Sequence, residues 1–196
     1  MKILIVADEE SPYLWDHYRP GMLSGIDLIL SAGDLKPEYL SFLVTMASCP
    51  LLFVHGNHDG NYDRYPPEGC ECIEDKIVTV NGIRILGLGG AKKYNGGPYQ
   101  YSEREMKRRI TKLKWKLWRS GGFDILLTHS SVRGCGDADD IAHQGFEAFF
   151  PLLEKYQPAY LIHGHVHKSY GHELTRELPC GQTKVINGTG RYVIEI

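Results

Sequence analysis

The sequence predicts an α/β protein: a mixed sheet, or two packed sheets, flanked by helices. Three observations carry this. Five short apolar runs recur along the chain, each closed by a polar cluster. Two further pairs of runs flank glycine-containing turns, and three segments carry helix-start signals or helical periodicity.

The apolar runs are residues 3–7, 28–32, 51–54, 125–128 and 160–162. Continuous apolar stretches of about 4–6 residues read as strands buried on both faces. They end in Asp8-Glu9-Glu10, Gly33-Asp34, His55-Gly56-Asn57-His58-Asp59, His129, and His163-Gly164-His165-Val166-His167. Residues 77–80 and 83–88 flank Asn81-Gly82, the pair that a type I′ hairpin turn prefers. Residues 183–186 and 192–196 flank Asn187-Gly188-Thr189-Gly190 and read as a second hairpin. A helix over 37–47 has Pro37 at its start, where a missing N–H costs nothing. A second, over 102–119, opens with Ser102 and Glu105 at capping-box spacing and repeats Met106, Ile110, Leu113 and Leu117 at helical intervals. A third spans 145–156, where Pro151 kinks it or splits it.

At 196 residues one domain is expected. Hydrophobic residues are 42% and the formal charge is −2, which excludes a polybasic nucleic-acid scaffold and an acidic disordered tail. No apolar run reaches the roughly 20 residues of a membrane span. The first residues, with a short apolar run followed at once by acids, do not read as a signal peptide. Five scattered cysteines argue against a disulfide framework, so a cytoplasmic location and no membrane partner are expected. Cys70-Glu71-Cys72 has no second cysteine pair to complete a zinc set and reads as a loop feature.

The polar clusters offer Asp8, Glu10, Asp34, Asn57, His58, Asp59, His129, His163, His165 and His167. Carboxylates, a carboxamide and imidazoles together suit Mn²⁺, Fe or Zn²⁺. The inventory is large enough for two ions sharing a bridging carboxylate. Taken singly, an Asp-x-Glu or a Gly-Asp is a solvated turn. Donor-rich clusters at five successive strand ends are not, because ligands gather at the carboxyl ends of strands in α/β sheets. His165 and His167, at i and i+2, share a face in an extended segment.

These motifs, from Asp8 to His167, resemble those of the calcineurin-like metallophosphoesterase superfamily. The resemblance implies a single domain over residues 1–196, built as a four-layer αββα sandwich with a two-metal centre. It implies that Asp8 and His167 hold the first ion, Asp34 bridges, and Asn57, His129 and His165 hold the second. His58 would lie beside the phosphate and protonate the leaving group, oriented by Asp59. Glu10 stands where the family has histidine. A carboxylate there hardens the site toward Mn²⁺, Fe²⁺ or Mg²⁺. The aspartate that follows Gly-Asp in the family is missing after Gly33-Asp34-Leu35-Lys36-Pro37. The implied cofactors are two divalent ions, Mn²⁺ foremost, and the implied activity is hydrolysis of a phosphodiester or small phosphomonoester. The alternatives are a non-catalytic scaffold on the same fold, for which the Glu10 departure speaks, and a nuclease.

Two segments face the substrate side in this reading. Residues 130–145 carry Arg133, able to fork onto a phosphate, and His143. Residues 94–101 supply aromatics for a pocket lip. Eight basic residues on the 102–119 helix (Arg104, Lys107, Arg108, Arg109, Lys112, Lys114, Lys116 and Arg119) read as a solvated outer face rather than a nucleic-acid surface. The chain leaves little room for a capping domain, and an open site leans toward phosphodiesters.

Overall fold

A computed structural model describes residues 1–167 and 175–196. The five apolar runs become β1 (Lys2–Ala7), β2 (Leu28–Ser31), β3 (Leu51–Phe53), β9 (Ile125–Thr128) and β10 (Tyr160–His163). Between and beyond them lie β4 (Glu71–Cys72), β5 (Ile77–Val80), β6 (Ile83–Leu88), β7 (Ala91–Lys92), β8 (Gln100–Tyr101), β11 (Glu177–Cys180), β12 (Thr183–Asn187) and β13 (Gly190–Glu195). One mixed sheet has the order β13-β1-β2-β3-β4 and the other β11-β12-β10-β9-β6-β5. Strands β1 to β4 run parallel, as do β6, β9, β10 and β12, so each group delivers its carboxyl ends to one edge.

Alternation along each run builds four layers. Ile3, Ile5, Leu28, Leu30 and Leu52 meet Ile85, Ile125, Leu127, Ile162 and Ile186 between the sheets. Leu4, Val6, Ile29, Leu51 and Phe53 point the other way, onto Tyr39, Leu40 and Leu43 of α1 (Pro37–Ala47). On the far side Leu86, Leu126, Leu161 and Val185 meet a second helical layer of α2 (Glu103–Lys112), α3 (Lys114–Ser120) and α4 (Phe150–Tyr156). Each such buried side chain contributes about 1.5–3 kcal/mol of transfer free energy. The helix–sheet–sheet–helix sandwich is therefore written in residues that are apolar on both faces of a strand.

Two local expectations change. Residues 183–186 and 192–196 do not form a hairpin: β12 enters the second sheet beside β10, while β13 crosses to the first and pairs antiparallel with β1. The reason is that β1 has an open edge, and β13 covers it from Lys2↔Glu195 to Ala7↔Gly190. The hairpins that form are β5–β6, with Asn81 and Gly82 both at positive φ (50° and 84°), and β11–β12 around Gly181-Gln182. The 102–119 helix breaks at Leu113, whose ψ of −8° leaves the helical range while its side chain and that of Leu117 stay in the core. Its Ser102–Glu105 capping box forms. Pro151 falls in the first turn of α4, preceded by a 3₁₀ turn at Glu147–Phe149, so the third helix is split.

Candidate metal centre

The donor residues leave the ends of β1, β2, β3, β9 and β10. Asp8, Asp34 and His165 all adopt left-handed backbone, with φ of 62°, 58° and 69°. Such conformations are costly for residues with a Cβ and gather at functional sites. Here they turn each side chain back across the strand ends. Two glycines make room. A Cβ on Gly56 would lie 1.9 Å from Asp34 Oδ1, and one on Gly164 would lie 2.5 Å from Asp8 Oδ2. The glycines of Gly-Asn-His-Asp and Gly-His-x-His are therefore carboxylate berths.

Asp34, His129 and His165 each bring one ligand atom within 4.8 Å of the others. His129 is fully buried. Its Nδ1–H donates to the Ala32 carbonyl at 2.7 Å, which turns Nε2 into the cluster. There it lies 3.0 Å from Asn57 Oδ1 and 3.3 Å from Asp34 Oδ2. With oxygen acceptors at both nitrogens the ring is an imidazolium. Burial opposes that charge, but Asp34 and then Asp8 outweigh burial and raise the group to about 9. The same pairing overcomes the burial of Asp34 and lowers it to about 2. For Asp8 burial prevails and raises it to about 6, although its carboxylate accepts the His165 amide (2.9 Å) and the Thr189 hydroxyl (3.0 Å). His165 is neutral: burial and then the charge on His129 lower it to about 3, and its Nε2–H donates to Ala142 O at 2.7 Å. The donor chemistry fits divalent metal. Oxygens and imidazole nitrogens face one another, and in the metal-free protein the proton on His129 stands in for the positive charge that a divalent ion would bring.

His58 lies on the rim, its side chain 72% exposed, with Nε2 4.0 Å from Asp34 Oδ2. Its backbone N–H donates to Asp34 Oδ1 at 2.8 Å. Asp59 does not orient His58. Its Oδ2 accepts the backbone N–H groups of Gly56 (2.7 Å) and Asp34 (2.9 Å), tying two strand-end loops together. A buried carboxylate flanked by two such donors satisfies them before it reaches an exposed ring. Burial, and then Asp34, raise Asp59 to about 6.

The structure places Glu10 on Lys36: its carboxylate accepts the Lys36 amide at 3.1 Å and lies 3.8 Å from Nζ. His167 stands at the edge, 3.9 Å from Glu9. Arg133 is engaged by Asp137 at 2.9 Å rather than turned to the opening. His143 is buried, bonded to Asp140 at 2.8 Å, and its ring lies 4.9 Å from that of His165, so the structure brings it against the cluster. His163 turns away, with Nδ1 on Gly164 O at 2.8 Å and burial lowering it to about 4. His17 has an exposed side chain on a turn near residues 11–17 and takes no part in the Asp34 group.

Two contributors lie outside the polar clusters at the strand ends. Thr189 reaches Asp8 only because β13 crosses between sheets. Tyr94, in the segment read as a pocket lip, accepts a hydrogen bond from Asn57 Nδ2 at 3.2 Å. On α2, Arg109 is not a solvated base: it is buried on Glu74 (2.7 Å), Asp75 (3.0 Å) and the Gly89 carbonyl (2.8 Å).

Residues 4–169 match the family model described as calcineurin-like phosphoesterase. The chain belongs to this family. Divalent metal ions are accordingly the expected occupants of the Asp34 group. The chain is 25% identical over 189 residues to UPF0046 protein K07C11.7 of Caenorhabditis elegans, covering 82% of this chain and 61% of that protein. It is 29% identical over 117 residues to UPF0046 protein T07D4.2 of the same organism, covering 59% and 27%. The chain thus spans less than two thirds of the length of either relative. The crystal structure of TT1561 of Thermus thermophilus superposes with a TM-score of 0.61 at 16% identity, covering 96% of this chain and 89% of that one, which shows a shared fold. Among the described residues no helix is long and apolar enough to cross a membrane.

Proposed function

We propose that the chain is a metal-dependent phosphoesterase acting on a phosphodiester or small phosphomonoester. One observation carries the reading: buried oxygen and nitrogen donors from separate strand ends converge around Asp34, with an exposed imidazole, His58, beside them.

In this reading Asp34 would be shared between two ions, Asn57, His129 and His165 would hold one of them, and Asp8 and His167 would hold the other. Glu10 would join only by leaving Lys36. A bound pair of divalent ions lowers the pKa of water toward neutrality and neutralises phosphoryl charge. The hard donor set, without a thiolate, favours Mn²⁺. The protein's own part is positional and acid–base. Asp59 fixes the Asp34 loop against the Gly56 loop. The Ala32 carbonyl holds His129 so that Nε2 faces inward, and such orienting partners typically change metal affinity about 10- to 100-fold. His58 is exposed enough to approach a leaving oxygen and to donate its proton there. Ala142, over His165, makes residues 137–145 the wall of the opening, and Arg133 meets a phosphate only by exchanging Asp137 for it.

The test is hydrolysis of bis-p-nitrophenyl phosphate by the purified chain with added Mn²⁺, with Asp34→Asn as control. Metal-dependent turnover that vanishes in the variant, together with loss of both ions by elemental analysis, is expected. A folded, Mn²⁺-loaded protein without turnover on diesters or monoesters would overturn the reading in favour of a binding scaffold. Turnover surviving Asp34→Asn would overturn the bridging role.

A further inference from the structure

We infer that His55, Cys72 and Glu74 form a second, thiolate-containing site for a zinc-class divalent ion, distinct from the Asp34 group. The site does not depend on the phosphoesterase reading, because none of its three side chains belongs to the donor set proposed for hydrolysis.

The three donors come from neighbouring strands. His55 follows β3, Cys72 ends β4, and Glu74 lies two residues on. The strands pair in parallel with Phe53 opposite Cys72. One ligand atom from each lies within 4.8 Å of the others. His55 Nδ1 is 3.0 Å from Glu74 Oε2 and 3.9 Å from Cys72 Sγ. With Zn–N and Zn–O bonds of about 2.0 Å and Zn–S of about 2.3 Å, tetrahedral angles require separations of roughly 3.3 Å for N to O and roughly 3.5 Å for N to S. The observed distances straddle these values, so side-chain shifts of a few tenths of an ångström close the site.

The surroundings hold each donor in place from behind. The His55 ring stacks on Tyr99 at 4.2 Å and 12°, with Phe53 edge-on at 5.5 Å. Glu74 Oε1 accepts the Gly89 amide at 2.6 Å and Arg109 at 2.7 Å, which leaves Oε2 facing His55. Partners of this kind on the far oxygen of a ligating carboxylate, and packing that fixes an imidazole plane, are what metal sites use to orient their ligands. Charge also closes. Asp75 offsets Arg109 at 3.0 Å, so one thiolate and one carboxylate remain to balance a divalent ion. The thiolate separates the two centres by metal type: it selects zinc or a similarly soft ion over Mn²⁺ and Mg²⁺. Cys70 is not part of the site, since its Sγ turns to the Glu68 carbonyl at 3.6 Å. The fourth position falls to water. Because His55 leads directly into Gly56-Asn57-His58, an ion here would anchor the segment that supplies two residues of the proposed hydrolytic centre.

Cobalt(II) substitution tests this, because a thiolate-bound Co²⁺ gives a near-ultraviolet sulfur-to-metal charge-transfer band and the Asp34 group holds no sulfur. The full chain titrated with Co²⁺ is expected to show the band. Cys72→Ser should abolish it, while Cys70→Ser and Asp34→Asn should retain it. Zinc analysis after dialysis should find one equivalent fewer in Cys72→Ser than in the parent, with circular dichroism confirming that the variant is folded. Saturation with Co²⁺ without the band, or a band that survives Cys72→Ser, would overturn the inference. Loss of hydrolysis in Asp34→Asn with the band intact would separate the fate of the two centres.

Discussion

The Asn57 carboxamide donates through Nδ2 to Tyr94 Oη at 3.2 Å, and this contact tethers the end turned away from His129. With the nitrogen committed to Tyr94, Oδ1 lies 3.0 Å from His129 Nε2. Asn57 therefore offers oxygen, not an N–H, to the cluster. Tyr94→Phe removes that tether and leaves the carboxamide held from the His129 side alone. The Mn²⁺ concentration for half-maximal phosphoesterase activity should rise about ten-fold, with the thermal midpoint unchanged because the side chain is partly exposed. An unaltered Mn²⁺ titration would show that the Tyr94 contact does not orient Asn57.

His58 separates metal binding from proton transfer. Its exposed ring contributes little packing, so His58→Ala should fold and keep its metal content. Turnover should fall by roughly 10²–10⁴-fold for alkyl phosphate esters and much less for p-nitrophenyl esters, whose leaving group needs no proton. Equal losses on both substrates in a steady-state comparison would remove His58 from the role of acid.

Arg109 tests the buried network on α2. Its side chain is 11% exposed and faces Glu74, Asp75 and the Gly89 carbonyl. Arg109→Met would leave Glu74 beside His55 without its guanidinium partner. Removing one member of a buried ion pair costs about 3–5 kcal/mol, read as a lower urea midpoint at constant slope. A loss below about 1 kcal/mol, the range of surface pairs, would mean that solvent screens the pair.

The pH dependence of the metal-free protein follows from two imidazoles. His129 is raised to about 9 and His55 to about 10; in both, burial opposes the charge but the neighbouring acids outweigh it, with Cys72 and Glu74 beside His55. A raised imidazole stabilises the fold fully below its unfolded value near 6.5, and that stability is lost as pH rises through the folded value. Chelator-treated protein, followed by urea unfolding, should therefore lose stability from about pH 6.5 to about pH 9, by about 1.4 kcal/mol per pH unit for each such proton. Mn²⁺ should flatten the fall, because metal displaces the proton on His129. A stability that is level or rising across that range would contradict the charged state of His129.

Much of this was legible from residue order. Strands buried on both faces announced themselves as unbroken apolar runs, so 3–7 and 125–128 could be placed between two layers without coordinates. The polar clusters at their ends held Asp34, His129 and His165, which the fold brings together. The capping box at Ser102 and the Asn81-Gly82 turn are local chemistry and formed as read.

What only the tertiary structure decided is non-local. Whether 192–196 pairs with its neighbour in sequence or with β1 depends on which sheet edge is open, and that brought Thr189 to Asp8. Whether Asp59 serves His58 or two backbone amides depends on where the β2 and β3 loops meet. Whether Glu10 faces the centre or Lys36, and whether Cys72 finds His55 and Glu74 or merely sits in a loop, are matters of a few ångströms between segments far apart in the chain. Periodicity and spacing record what a strand or helix does within itself. They carry no record of which distant side chain arrives opposite, because that is set by packing the two sheets together.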